Sequence, residues 1–223
     1  MSRTARCPLL IALTVLPSLA TVGCESAPYL RQRGIEACQD ARYERAEALL
    51  TRAVKLDPGV WQAHMVLGQV HLKRAKYLEA QHELELALSM NPSSDHTPEI
   101  LDALAETLLG QGNAGALHAL LEKACADYGT TRDYLRQARF LGRLGDLDNA
   151  KIALGKASHF AAPDDPDAQL ALADFYESIG NEPEAIQALR HALYIDPDNA
   201  VIQKRLRAHG VIPGPTAAIS PKP

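Results

Sequence analysis

The sequence predicts an all-α fold, a solenoid of antiparallel helix pairs, and three observations carry that prediction. Hydrophobic residues make up 47% of the chain but aromatic residues only 5%, so Ala and Leu supply the apolar surface. Those two residue types stand near the head of the helix propensity scale. Runs of β-branched residues with period-two alternation are missing, which argues against a sheet. Small and apolar residues also recur in step along most of the chain, as repeated helical units require.

The recurrence is clearest in two segments, 61–94 and 166–199, which superpose at 34 residues. In the first, Leu67-Gly68 is followed by Tyr77, Ala80, Leu84, Ala87 and Pro92. In the second, Leu172-Ala173 is followed by Tyr176, Gly180, Ala185, Leu189, Ala192 and Pro197. Segment 27–60 carries Gly34, Tyr43, Ala46, Leu50, Ala53 and Pro58. Segment 98–131 carries Leu104-Ala105, Leu108, Gly112, Leu121 and Ala124 but ends on Gly129. Segment 131–164 carries Ala138, Gly145, Ala150, Leu154 and Ala157, with Pro163 one place late. This pattern resembles the tetratricopeptide repeat, whose unit is a helix–turn–helix with a small residue on the first helix, two Ala on the second and a closing Pro. The resemblance implies a right-handed superhelical solenoid whose first helices line a concave groove for partner segments.

Each element has a local reason. Gly112, Gly145 and Gly180 mark turns between paired helices, where the chain can take positive φ. Gly34, Gly68, Ala105, Ala138 and Ala173 on first helices are expected to face Ala46, Ala80, Ala150 and Ala185 on second helices, letting the axes approach. Leu117 stands where the third unit should carry Ala, so that pair should be splayed. Closing Pro residues follow Asp57, Asn91 and Asp196, a pairing that stops one helix and starts the next. Thr97-Pro98-Glu99 and Asp165-Pro166-Asp167 each read as a cap, a Pro at the first helical position, and an acid at the positive helix end. Three extra residues within 93–97 are expected to bend the stack between the second and third units.

Stacked repeats need a capped end. Residues 199–210 predict a capping helix with Val201, Ile202 and Leu206 inward and Gln203, Lys204 and Arg207 wet. Residues 211–223 contain Pro213, Pro215, Pro221 and Pro223, and are expected to be disordered or extended.

Residues 1–23 read as an export signal outside the fold. Arg3 and Arg6 precede an apolar stretch from Cys7 to Ala20, too short to span a bilayer but of signal-peptide length. Removing those two Arg takes the net charge from -4 to about -6. Thr21-Val22-Gly23-Cys24 resembles the lipobox of bacterial lipoproteins, which implies a diacylated Cys24 and a lipid-anchored N-terminus at 24–28. Ordinary cleavage after Ala20, with Ser18 and Ala20 as the small residues, remains the alternative. Glu25, following the lipobox Cys, leaves the outer membrane open as the destination. Of the four Cys, only Cys38 and Cys125 belong to the repeats, too far apart in the array to bridge.

Searching for chemistry yields no catalytic residues and no cofactor site: there is no Gly-rich phosphate loop, nucleophile elbow or paired-Cys zinc spacing. His64 and His71 share a helix face, but they sit at packing positions, so core histidines are expected and no metal. The modest charge gives no footprint for nucleic acid. The groove positions read as Gln69, Leu72, Glu106, Leu109, Leu135, Arg139, Arg143, Leu170 and Asp174. Among them runs an Arg stripe of Arg132, Arg136, Arg139 and Arg143, flanked by Glu99, Asp102 and Glu106 before it and Asp167, Asp174 and Glu177 after it. Such a stripe could pair a partner's carboxylates, but acids on both sides are expected to neutralise it. The inner positions Arg31, Ile35, Met65, Gln69 and Glu106 depart from the Lys and Asn pattern of chaperone-binding carboxylate clamps. The expectation is a non-catalytic scaffold that binds protein partners of the cell envelope, held at a membrane through the lipid anchor.

Overall fold

The computed structural model describes residues 26–220, and the signal and lipobox readings lie outside them. Among the described residues there are eleven helices and no strand. They pair as α1 (Ala27–Gln39) with α2 (Tyr43–Leu56), α3 (Trp61–Lys73) with α4 (Tyr77–Met90), and α5 (Thr97–Gly110) with α6 (Ala114–Asp127). Next come α7 (Thr131–Arg143) with α8 (Leu147–Phe160) and α9 (Asp167–Ser178) with α10 (Glu182–Ile195), followed by a single α11 (Ala200–Ala208). Each helix packs mainly against its neighbours in sequence, and first helices of successive pairs touch. The core is accordingly divided into successive clusters along the chain, as in a solenoid. None of the described helices is long and apolar enough to cross a membrane.

One turn geometry joins the helices of every pair. At Gly112, Gly145 and Gly180 φ is +70°, +81° and +71°, as the glycines predict. The first two pairs use Ala41 and Ala75 there, at φ 57° and 56°. In all five turns the residue after this position donates its amide to a carbonyl five residues back: Arg42 to Ala37, Lys76 to His71, Asn113 to Leu108, Asp146 to Leu141 and Asn181 to Tyr176. That bond closes the helix C-terminus by the Schellman pattern, which calls for a left-handed residue. Gly210, at φ +75°, ends α11 the same way, with Val211 N–H donating to the Leu206 carbonyl.

At Gly34 and Gly68 the nearest neighbour on the second helix is a Leu, not the expected Ala. A Cβ on Gly34 would lie 2.6 Å from Leu50 Cγ, and one on Gly68 would lie 2.6 Å from Leu84 Cγ. Gly34 and Gly68 are therefore sockets for a Leu one turn beyond Ala46 and Ala80, which are themselves fully buried. At the third pair, Leu117 is fully buried, and α5 and α6 pack far less extensively than any other pair.

Three further expectations are corrected. Val201 is 61% exposed, because the stripe that α11 buries is Ile202 with Leu206, four residues apart. Thr97 does not cap α5: its Oγ1 accepts from Ser94 N–H at 2.9 Å and closes the preceding loop. That loop is tied down from both sides, by Tyr128 O–H donating to the Pro92 carbonyl at 2.6 Å and by His96 against the Trp61 ring. The tail is not free over 211–220. Ala217 is buried among Leu189, Leu193, Ile202 and Leu206, Arg190 Nε donates to its carbonyl at 2.6 Å, and Ile219 N–H donates to the Arg190 carbonyl at 3.2 Å. Pro213 and Pro215 forbid a helix here, but small Ala217 and Ala218 let an irregular strap seat against α10 and α11.

Side-chain caps hold several of the helix starts. Thr130 and Asp133 form a reciprocal capping box on α7, and Asn113, Asp146 and Asn199 side chains accept first-turn amides of α6, α8 and α11. Asp165 Oδ1 accepts from Asp167 N–H at 2.9 Å at the start of α9.

Candidate functional site

An open cleft of about 660 Å³ lies between α7 and α9. Leu135, Ala138, Leu154, Ala171 and Phe175 give it an apolar lining, with Arg139 and Arg143 on one rim and Asp174 on the other. The helix pairing explains the arrangement: α7 and α9 are first helices of successive units, and α8 contributes Leu147 and Leu154 between them.

The Arg stripe of α7 divides into two kinds of residue. Arg136 is only 1% exposed and is structural. Its Nε donates to Asp102 Oδ1 at 2.6 Å, its NH1 to Asp133 Oδ1 at 2.6 Å and its NH2 to the Pro98 carbonyl at 3.3 Å. A buried guanidinium so engaged fastens α7 to α5. Arg139 and Arg143 are 53% and 45% exposed, so their pairs with Asp102 and Glu106 are weak surface contacts. Their guanidinium carbons sit 4.9 and 5.4 Å from the Phe140 ring centroid, which holds the stems against the rim. Arg132 pairs with Glu99 and Asp102.

The acids of α5 thus neutralise the stripe as expected, but those of α9 do not. Asp174 pairs with Arg205 at 2.7 Å, and Glu177 pairs with Arg205 and with His209, which follows α11. The reason is α11, whose basic residues lie closer to α9 than those of α7 do. Burial alone would push Glu177's pKa up, but hydrogen bonds and charge from His209 and Arg205 hold it below the usual carboxylate range.

Of the nine groove residues read from sequence, Leu135, Arg139, Arg143 and Asp174 line this cleft. Leu72 instead seals the core between α4 and α5, Leu109 packs on the cluster around Phe140, and Leu170 packs on the α10–α11 cluster. Glu106 is the partner of Arg143, and Gln69 lies half-buried on α3, outside the cleft. Phe175 was not singled out from sequence, although it directly precedes the repeat position Tyr176.

The paired histidines are packed into the fold. His64 Nδ1 lies 2.6 Å from Glu83 Oε2 and its Nε2 lies 3.0 Å from the Pro58 carbonyl, so neither nitrogen faces open space. His71 is buried with its Nδ1 3.9 Å from Glu47, beyond hydrogen-bond reach, and burial pushes its pKa down. For Glu47, burial raises the pKa, but the Lys76 hydrogen bond and the charges of Lys76 and Arg74 outweigh it. Cys38 and Cys125 are both free.

Family models described as tetratricopeptide repeat match residues 31–95 and residues 143–209, together more than half of the chain. A peroxisomal targeting signal receptor of Debaryomyces hansenii is 27% identical over 195 residues, covering 82% of this chain but only 31% of the receptor. Among solved structures, a thermophilic tetratricopeptide-repeat protein of Thermus thermophilus superposes with a TM-score of 0.56 at 21% identity, covering 82% of this chain and 98% of the other. YrrB, a tetratricopeptide-repeat protein whose structure is described as having an unusual peptide-binding site, gives a TM-score of 0.51 at 21% identity over 82% of this chain and 93% of its own. Together with the helix pairs and their common turn, these matches establish that the chain belongs to the tetratricopeptide-repeat family.

Proposed function

We propose that this protein is a non-catalytic scaffold of a bacterial cell envelope that holds a segment of a partner protein in the α7–α9 cleft. The observation that carries this reading is the cleft itself: about 660 Å³, open, apolar within, and rimmed by half-exposed Arg139 and Arg143. That combination suits an apolar side chain entering between helices, with polar groups fixing its orientation. The peptide-binding site named for YrrB and the targeting-signal recognition named for the yeast receptor are in keeping with it. The rim guanidiniums already have carboxylate partners, so the apolar lining supplies most of the binding energy in this reading. Envelope residence rests on the signal-like residues 1–23 and on Cys24 as a lipid attachment point.

Photo-crosslinking in the native envelope tests the site. A crosslinker at Leu135 or Phe175 should trap one common partner, and a crosslinker at exposed Leu78 on α4 should not. Equal trapping from Leu78, or none from the cleft, removes the site. With the partner in hand, an Arg139→Ala, Arg143→Ala double variant should bind nearly as well as the parent, and a tenfold loss with unchanged melting would move the binding energy to the rim. Cys24→Ser should release the protein from membranes and leave its helical circular dichroism unchanged. Continued sedimentation of the variant with salt-washed membranes would overturn Cys24 as the anchor, whereas absence of acyl chains from the mature N-terminus would leave the soluble form cleaved after Ala20.

A further inference from the structure

The array ends on α11, a helix of only nine residues with two fully buried side chains, Ile202 and Leu206. A helix that short has little stability of its own and depends on what fastens it. Its N-terminus is fixed by Asn199, which accepts from the Val201 and Ile202 amides. Its C-terminus is fixed by charge. Arg205 pairs with Asp174 and Glu177 of α9 at 2.7 and 2.9 Å. His209, the residue after the helix, reaches both helices of the last pair: Nε2 lies 2.9 Å from Glu177 Oε1 of α9, and Nδ1 lies 3.1 Å from Glu182 Oε1 of α10.

Carboxylates only accept, and a neutral imidazole carries one N–H. Both contacts can be hydrogen bonds only if both ring nitrogens are protonated. The cation also sits where the helix dipole is negative. Directly behind it, Gly210 at φ +75° turns the chain into the strap that seats Ala217 on the same core.

We propose that the His209 imidazolium is a proton-dependent clasp that fastens the C-terminal cap, α11 with its strap, onto the α9–α10 pair. The groups facing it are Glu177 of α9 and Glu182 of α10, with Arg205 of α11 sharing Glu177 and neutralising Asp174. The hydrogen bond to Glu177, then that to Glu182, raise the His209 pKa above its ordinary 6.5, against a smaller opposing effect of burial. A raised folded pKa means that the clasp is complete below about 6.5 and is lost as pH rises through the folded value. Above it one hydrogen bond is lost and a carboxylate faces a lone pair, while the Arg205 pairs remain. The cap then loosens and the rest of the solenoid stays folded, because repeats contact only their neighbours.

Amide hydrogen exchange of the full-length protein at pH 6 and pH 9, with intrinsic exchange rates divided out, reads the clasp. Protection over 200–219 should fall several-fold from pH 6 to pH 9 while protection of α3 and α4 does not change. His209→Gln, which donates one bond without a titrating charge, should show the lower protection at both pH values. Equal protection of 200–219 at both pH values in the parent, or the same fall in His209→Gln, overturns the proposal. A proton NMR titration of the His209 ring guards against a variant that folds badly: its midpoint should lie above 6.5 and move down in Glu182→Gln. A midpoint at or below 6.5 in the parent also overturns it.

Discussion

Replacing Ala41 and Ala75 by Gly should make the protein more stable, although each change removes a methyl group and adds a flexible residue. Both alanines are exposed and sit at φ 57° and 56°, where the other three intra-pair turns have Gly. An L-residue held in the left-handed region costs about 1–2 kcal/mol. Glycine returns part of that, about 0.4–1 kcal/mol, because it widens the unfolded ensemble. The balance is a gain of about 0.5–1 kcal/mol at each site. For a chain of this length that corresponds to a rise in Tm of about 1–4 °C for each substitution. The two turns share no hydrogen-bond partner, so the gains should add in the double variant. The converse change is Gly145→Ala, where nothing lies within 4 Å of the added Cβ. It isolates the backbone cost and should lose about 1 kcal/mol. Thermal and urea unfolding followed by circular dichroism measure all four variants. A lower Tm for both alanine replacements, or an unchanged one for Gly145→Ala, would refute the common left-handed turn.

Three other outcomes follow from packing and charge. Gly68→Ala puts a Cβ 2.6 Å from Leu84 Cγ and 3.2 Å from the Leu84 backbone nitrogen, so urea unfolding should show a loss of about 1–3 kcal/mol. Arg136→Ala leaves buried Asp133 without its guanidinium and should cost about 3–5 kcal/mol, whereas Arg143→Ala at the exposed rim should cost under about 1 kcal/mol; equal losses would mean that Arg136 is not the buried fastener. Burial, then the nearby Asp133 charge, push the Cys125 thiol up to about 11. At pH 8 its alkylation should therefore be up to about a hundredfold slower than that of a free thiol, and rapid modification of native protein by iodoacetamide would contradict its placement.

The repeat was legible where a residue type can do only one job. Pro after Asp57, Asn91 and Asp196, and Gly at 112, 145 and 180, mark helix ends by their own backbone restrictions. Ala41 and Ala75 occupy the same turn unnoticed, because nothing about Ala signals positive φ and the surrounding helices impose it. Periodicity placed Val201 inward since it tells which residues share a face but not where a nine-residue helix will be rotated. The stripe of four Arg was visible, yet the difference between buried Arg136 and exposed Arg139 depends on Asp102 and Asp133 converging from different helices. The clasp was hidden for the same reason, since its members are spread from Asp174 to His209. In the tail, Pro content masked Ala217, whose small side chain is what lets the strap seat.

The loose junction between α5 and α6 shifts the phase of the array. Of the described helices α5 has the most buried residues, yet it is held more by α4 before it than by the helix it turns into. The stretch of chain that repeats in sequence and the block of helices that holds together are therefore not the same segment at this point. Removing residues 98–131 as a unit would strip α4 of its cover and leave α7 without Asp102, the anchor of Arg136, so a clean excision would have to respect the packing and not the recurrence. In this protein the grammar of the repeat and the joinery of the fold fall out of step in the middle of the chain, one pair ahead of the cleft.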